Sequence, residues 1–366
     1  MYLNENCKVF RGEQVMKKIL VIRGSSIGDI VKYLPVASAI KTQFGKECEV
    51  HWLVRKKFNK ILEGNRFIDK ILYYEDYKDL QFRIVKRIYR RRSNISGLSK
   101  WLRFSCVNKL KHEHYDAVVN LHEILDAKIF TQISSAPNIV DFPSIVATFD
   151  VHRNATLEAL QTLRFLDETF DENNFAKKPI DYGWNFSVAE LSKTENILKA
   201  NGCDKNEYIV FVLGTTWESK NYPVENWIKL TELLQKDNIK IVCVGDAKDK
   251  DVLNEIKSKS SNEMLIDLIG KTSLREMIIV LNKAEVVVGG DTGPLHIAAS
   301  LNVNTVTLMN PTSTVMYAPF NNKGTVLTAN YDCKNCHKVK CPKGICCMKY
   351  IAPEDVASAI IKSRRR

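Results

Sequence analysis

The sequence predicts an α/β protein of two domains, each a parallel sheet covered by helices. Short apolar runs of strand length alternate with helix-period stretches over most of its 366 residues. The alternation stops at 171–186, an aperiodic stretch with several breakers that places a domain boundary there. Three of the apolar runs end in loops of glycine, hydroxyl and charged residues, the composition that binds phosphate at the carboxyl ends of parallel strands.

Lys17 to Ile22 reads as the first strand, and the helix after Asp29 carries Ile30, Leu34, Ala37 and Phe44 at helical spacing. Glu49–Val54 is a second strand, Lys56–Glu63 a short helix and Ile68–Tyr73 a third strand. A basic insertion at about 76–114 interrupts the pattern; Phe82, Val85, Ile88 and Tyr89 recur within it as one face of an amphipathic helix. Tyr115–Leu121 restores a strand, and His152–Glu168 is expected to be helical. Beyond the boundary a helix ends at Asn201-Gly202. Strands follow at Tyr208–Leu213, Ile239–Val244, Leu265–Ile269, Val286–Gly289 and Thr305–Met309, with helices from Val224 and Ala247 and a capping box at Ser273 to Glu276. The last helix opens at Pro353-Glu354-Asp355 and ends in bases, each charge at its favoured end.

A composition of 45% hydrophobic and 26% charged residues is that of a soluble globular chain. No apolar run approaches the ~20 residues that span a bilayer, and Met1 to Gln14 is too polar for a signal peptide. The expected location is the cytoplasm. Five of the ten cysteines are scattered and read as reduced; the others crowd together as Cys333, Cys336, Cys341, Cys346 and Cys347. That cluster, with His337 inside it, has spacing that suits a structural zinc but lacks a second CxxC, and reduced thiols packed under the last helix are the alternative. The net charge of +12 is concentrated: Arg83, Lys86, Arg87, Arg90, Arg91, Arg92, Lys100, Arg103, Lys109 and Lys111 fall in a window without an acid. Such a patch suits nucleic acid, an anionic membrane or a phosphorylated substrate, and charge alone does not choose.

The chemistry concentrates in three loops. Gly289-Gly290-Asp291-Thr292-Gly293-Pro294 joins a strand to a helix; its glycines permit close backbone approach, and the helix amides carry partial positive charge suited to a diphosphate. Gly214 to Asn221 places the hydroxyls of Thr215 and Thr216 and the ammonium of Lys220 before a helix. Gly24 to Asp29 holds Ser25, Ser26 and Gly28, with Asp29 either capping its helix or serving as a base.

Ile22-Arg23-Gly24-Ser25-Ser26-Ile27-Gly28-Asp29, then Thr215-Thr216 with Lys220 and Trp227, then Gly290 to His296, stand in an order that resembles glycosyltransferase family 9. The best-known members of that family are the ADP-heptose:lipopolysaccharide heptosyltransferases, and the likeness covers roughly residues 17–330. The resemblance implies a GT-B fold, two Rossmann-like domains with parallel sheets facing a central cleft. The acceptor domain would be 1–178 and the nucleotide-sugar domain 187–350, with a helix at 351–366 crossing back to the first. It implies Asp29 as general base and Thr215, Thr216, Lys220, Asp291, Thr292 and Gly293 as donor ligands. Asp291 would also contact the donor sugar, and Ser25, Ser26 and Gly28 would form an acceptor-side loop. The donor implied is ADP-heptose, the acceptor a lipopolysaccharide-core or related glycolipid; neither a divalent ion nor a cofactor is required.

The basic segment 82–111 then reads as a surface for anionic lipid at the inner face of the plasma membrane, with Phe82, Ile84, Ile88, Tyr89, Trp101 and Phe104 resting on it. No nucleic-acid module accompanies the segment, so no nucleic-acid partner is expected. Glu123 and Asp126 are candidate acceptor contacts or a solvated helix start; Asp246 is placed to hold a ribose; His296 reads as a hydrogen-bonded core group. Two other functions fit the same pattern: a nucleotide-sugar epimerase of GT-B fold, and a non-catalytic nucleotide- or RNA-binding protein.

Overall fold

The computed structural model describes residues 16–78, 80–92, 110–142, 153–203, 207–261, 263–321, 323–333, 335–344 and 346–364. The chain divides into two compact units, 1–185 and 186–366, a boundary at the edge of the stretch that the sequence marks.

The first unit carries β1 (Lys18–Ile22), β2 (Glu49–Val54), β3 (Lys70–Tyr73), β4 (Ala117–Asn120) and β5 (Asn138–Asp141) in the order β3-β2-β1-β4-β5. Each described pairing is parallel. β1 and β4 are buried along almost their whole length because helices cover both faces, which is why they read as unbroken apolar runs. Helices α1 (Ile27–Tyr33) and α2 (Pro35–Phe44) follow β1, then come α3 (Leu80–Arg92), α4 (Leu125–Ile133) and α5 (Ala155–Gln161). The chain runs outward from β1 to β3, then returns to the other side of β1. The sheet therefore has a switch point between β1 and β4.

The second unit repeats the plan with six strands: β6 (Tyr208–Val212), β7 (Lys240–Val244), β8 (Leu265–Asp267), β9 (Val286–Gly290), β10 (Asn304–Met309) and β11 (Gly324–Thr328), ordered β11-β10-β9-β6-β7-β8 and all parallel. Its switch point lies between β6 and β9. Helices α6 (Val188–Ala200), α7 (Val224–Gln235), α8 (Lys250–Lys259), α9 (Leu274–Asn282), α10 (Gly293–Ser300) and α11 (Pro353–Arg364) complete it. The capping box at Ser273 and Glu276 is formed, and Gly202 adopts a left-handed φ of 74° after α6.

Several expectations change. Lys56–Ile61 and Ala247–Asp249 are 3-10 turns, and the helix expected from Ala247 begins at Lys250. β5 and β11 extend the sheets beyond the expected strands: β5 is only four residues long, and β11 is an edge strand of alternating exposure. Within the second unit, α11 buries Val356 and Ile360 in the core against α7 and β10, and Arg364 pairs with Glu285 at 2.6 Å. Trp227 is likewise core, 4.8 Å from the Phe211 ring.

The basic helix is corrected as well. α3 spends its apolar face on the first unit: Phe82 and Val85 are buried, Phe82 stacks on Phe130 with centroids 4.9 Å apart, and Ile88 and Tyr89 pack on the same core. Phe82 and Val85 are thus committed to the core, while Ile88 and Tyr89 are part-buried against it. Ile84 is exposed, as are Arg83, Arg87, Arg90 and Arg91, while Trp101 and Phe104 lie outside the described residues. Asp126, a candidate acceptor contact, is buried between Lys78 at 2.6 Å and Lys86, and so fastens α3 to α4.

Candidate active site

Ligands of open parallel sheets bind beyond the strand ends at the switch point. In each unit that position holds a carboxylate paired with cations.

In the second unit, β9 ends at Gly290, and Asp291 turns its side chain into the protein, only 8% exposed. Asp291 Oδ2 accepts from Lys220 Nζ at 2.6 Å and from the Thr312 hydroxyl at 2.9 Å, while Oδ1 lies 3.2 Å from His296 Nε2. Burial raises the Asp291 pKa, but His296 and Lys220 prevail and hold it well below the usual carboxylate range. Lys220 stands over the Trp217 ring, 4.4 Å from its centroid, and reaches Asp291 from the neighbouring β6 loop. Gly290 is required here: a Cβ would lie 2.7 Å from the Lys220 carbonyl and 2.9 Å from Thr215 Cγ2. Thr215 is buried, with its amide on Asn221 Oδ1 at 2.9 Å and its hydroxyl on the Trp217 carbonyl at 2.7 Å, so it shapes the loop; Thr216 is exposed beside it. Thr292 caps α10 with extended backbone, and Gly293 and Pro294 open that helix. The ensemble is an ammonium on a fixed counter-ion beside a helix N-terminus, a geometry for stabilising phosphate charge.

In the first unit, the loop after β1 lies beside the end of β4. Asp29 Oδ2 meets Arg23 at 2.8 Å, Oδ1 meets Lys32 at 2.9 Å, and the Ser26 amide and hydroxyl lie 3.3 and 3.1 Å from Oδ2. Asp29 therefore also closes back on the start of α1. Burial pushes its pKa up, but Lys32 and Arg23 outweigh this and hold the carboxyl well below its ordinary range. Arg23 also donates to the Leu121 carbonyl at 2.6 Å and lies over the Tyr33 ring, tying β4 to α1.

The sequence singled out Glu123 and Asp126 after β4 and passed over His122. His122 Nδ1 accepts from the Gly24 amide at 3.2 Å and lies 3.1 Å from the Tyr74 hydroxyl, so the proton sits on Nε2, 3.4 Å from Ser25 Oγ. Burial first, then Arg23 and Arg55, push its pKa down to about 4. Gly24 is glycine because a Cβ would stand 2.8 Å from the Tyr74 ring. Arg55, at the end of β2, has a buried Nε without a hydrogen-bond partner, and among the described residues no carboxylate pairs with it. A local signal was available, since His122 and Arg55 each stand just past a strand.

Other candidates do not join these centres. Glu123 is exposed; Asp246 caps the turn before α8, its amide bonded to Asp249 Oδ2 at 2.9 Å. The five clustered cysteines are free thiols, and among the described residues no group of three or more His, Cys, Asp or Glu is placed to hold a metal. Cys347 packs in the core beneath α11. No described helix is long and apolar enough to cross a membrane.

Comparison with known proteins gives the fold and family of the chain. By fold the chain is an α/β protein with the two parallel sheets of GT-B transferases. The solved glycosyltransferase family 9 protein of Veillonella parvula matches it at a TM-score of 0.77 and 18% identity, covering 97% of this chain and 99% of that one. E. coli ADP-heptose lps heptosyltransferase II matches at 0.71 and 17%, covering 95% and 98%. Lipopolysaccharide heptosyltransferase 1 of Campylobacter coli is 27% identical over 360 residues, 94% of this chain and 98% of the relative. A family model described as glycosyltransferase family 9 (heptosyltransferase) matches residues 103–346, more than half of the chain. The chain belongs to that family and is a glycosyltransferase, which sets aside the epimerase and the non-catalytic binder.

Proposed function

We propose that this enzyme transfers heptose from ADP-heptose to a lipopolysaccharide-core or related glycolipid acceptor. The observation that carries the donor side is the Lys220–Asp291–Thr312 centre at the second unit's switch point. Fixed on Asp291, Lys220 keeps N–H donors for a diphosphate, joined by Thr216, Thr292 and the amides that open α10. They stabilise the charge that develops as the bond from the anomeric carbon to the phosphate oxygen breaks and ADP leaves with the electron pair. No divalent ion enters this account, because the cation is the lysine.

Asp29 takes the proton of the acceptor hydroxyl. A carboxylate held low by two cations is a weak base toward a neutral hydroxyl. It suffices once the new bond to the anomeric carbon has begun to form and the oxygen carries positive charge, so proton transfer is late. Ser25, held toward His122, and Ser26 line the acceptor side with Gly28 in the first turn of α1. Arg55, whose Nε lacks a hydrogen-bond partner and which has no counter-ion among the described residues, supplies charge for an acidic group of the acceptor. Its exposed counterparts Arg83, Arg87, Arg90 and Arg91 on α3 suit anionic lipid at the cytoplasmic face of the membrane through charge, without apolar insertion.

Calorimetric titration with ADP-, UDP- and GDP-sugars, without added metal, tests the donor. Selective binding of the ADP-sugar, followed by transfer to a lipopolysaccharide-core acceptor, is the expected result. Preference for a UDP- or GDP-sugar would replace the donor.

A further inference from the structure

Lys220 and Thr312 meet on one carboxylate oxygen yet come from loops separated in sequence, and Cys333 together with residues 335–340 fastens both loops. Toward the β6 loop, the Ser219 amide donates to the Val339 carbonyl at 3.0 Å, the Ser219 hydroxyl to the Lys338 carbonyl at 2.5 Å, and Lys340 pairs with Glu218 at 2.9 Å. Toward the loop after β10, Asn310 Nδ2 donates to the Cys333 carbonyl at 2.6 Å, while the Asn335 and His337 amides donate to the Asn310 and Pro311 carbonyls at 3.0 and 2.8 Å. These contacts close a ring that runs from Lys220 through Asp291 and Thr312 to residues 310–311, along the segment, and back to Ser219.

The segment's own backbone shows a cost. Asn335 and His337 adopt left-handed φ of 54° and 52°, a region where side chains with a Cβ are sparsely found. Each donates its amide to the donor-side loop from that conformation, so the strained residues are those making the attachment. Such conformations persist only where surrounding bonds over-determine them.

We infer that this cysteine-bearing segment is a clamp that holds Lys220 in place for the donor diphosphate, with Ser219 and Asn310 as positioning residues. The inference rests on the donor-site reading above. Ser219 does not touch the phosphate; it fixes the turn from which the next residue, Lys220, extends. Asn310 acts in the same way on the Thr312 side of Asp291.

The test is calorimetric titration of ADP into the full-length wild type, Ser219→Ala and Ser219→Thr, with steady-state kinetics alongside. Loss of one such hydrogen bond is expected to raise the ADP Kd about fivefold in Ser219→Ala. The donor KM should rise in parallel while the acceptor KM stays unchanged and the melting temperature falls only by the small amount that one hydrogen bond carries, and Ser219→Thr, which keeps the hydroxyl, should return the Kd to within about twofold. Asn310→Ala should move the donor KM in the same direction. Wild type that binds ADP with Ser219→Ala binding equally well would overturn the clamp while leaving the donor site standing. Wild type that fails to bind ADP would overturn the donor reading and the clamp together.

Discussion

The two carboxylate centres share a design and differ in what they allow. Asp291 and Asp29 each lie at the switch point of a parallel sheet, each bonded to a lysine, and each held below its ordinary range by neighbouring positive charge. Asp291, with only 7% of its side chain exposed, has its two oxygens filled by Lys220, Thr312 and His296; Asp29 leaves 32% of its side chain to solvent. On the function proposed above, Asp291 serves as the counter-ion that aims Lys220. Asp29 is also held, by Arg23, Lys32 and Ser26, but keeps the more open side chain, from which it can exchange a partner for a substrate hydroxyl and accept a proton.

Removing each centre should separate these roles, and the largest effect belongs to Asp29. Asp29→Asn should lower kcat by about a thousandfold, in the range of general-base losses, while calorimetry finds the ADP Kd unchanged. Full activity would move the base to another residue and dissolve the contrast. Lys220→Ala should weaken ADP binding by about 10- to 100-fold, the worth of hydrogen bonds to a charged group. It should also lower the melting temperature, because Asp291 then keeps a buried charge without its cation. Arg55→Ala, with no ion pair to break among the described residues, should leave stability and donor binding alone and raise the acceptor KM about tenfold, as for one charge-assisted contact. An acceptor lacking its acidic groups should show no difference between wild type and this variant.

A further effect, on stability rather than on catalysis, concerns His122. Its folded pKa of about 4 lies below the reference value of 6.5, so between those values the unfolded chain binds a proton that the folded one excludes. Stability contributed by the neutral ring is present above about pH 6.5 and is lost as pH falls toward 4. At pH 5 the loss relative to pH 7.5 is about 2 kcal/mol. Urea denaturation of wild type and His122→Gln at both pH values measures it as the extra acid sensitivity of the wild type.

Much of this arrangement is legible locally. The β-branched runs of β1, β6 and β9 announce buried parallel strands, and the loops after them carry Asp29, Lys220 and Asp291 at positions that the fold brings to the switch points. What local reading lacked is pairing across distance. Thr312 has no motif around it and enters the site because β10 lies beside β9. Arg55 and His122 meet the Gly24 loop because β2 and β4 flank β1. The basic helix is ambiguous for a related reason: its apolar stripe fits a membrane and a protein core equally well, and Phe82 finds its core partner in Phe130, far away in sequence.

The placement of α11 bears on how the chain acquires its shape during synthesis. Every described strand of the first unit precedes residue 142, so that sheet can close while the second unit is still being translated. The second unit cannot finish in the same way. Its interior waits for Ile351, Val356 and Ile360, and Tyr222 waits to donate its hydroxyl to the Ile351 carbonyl at 2.8 Å. Until those residues leave the ribosome, α7 has an uncovered apolar face. The half carrying the Lys220 centre is therefore the half that a nascent chain completes last, and the one most in need of protection while it emerges.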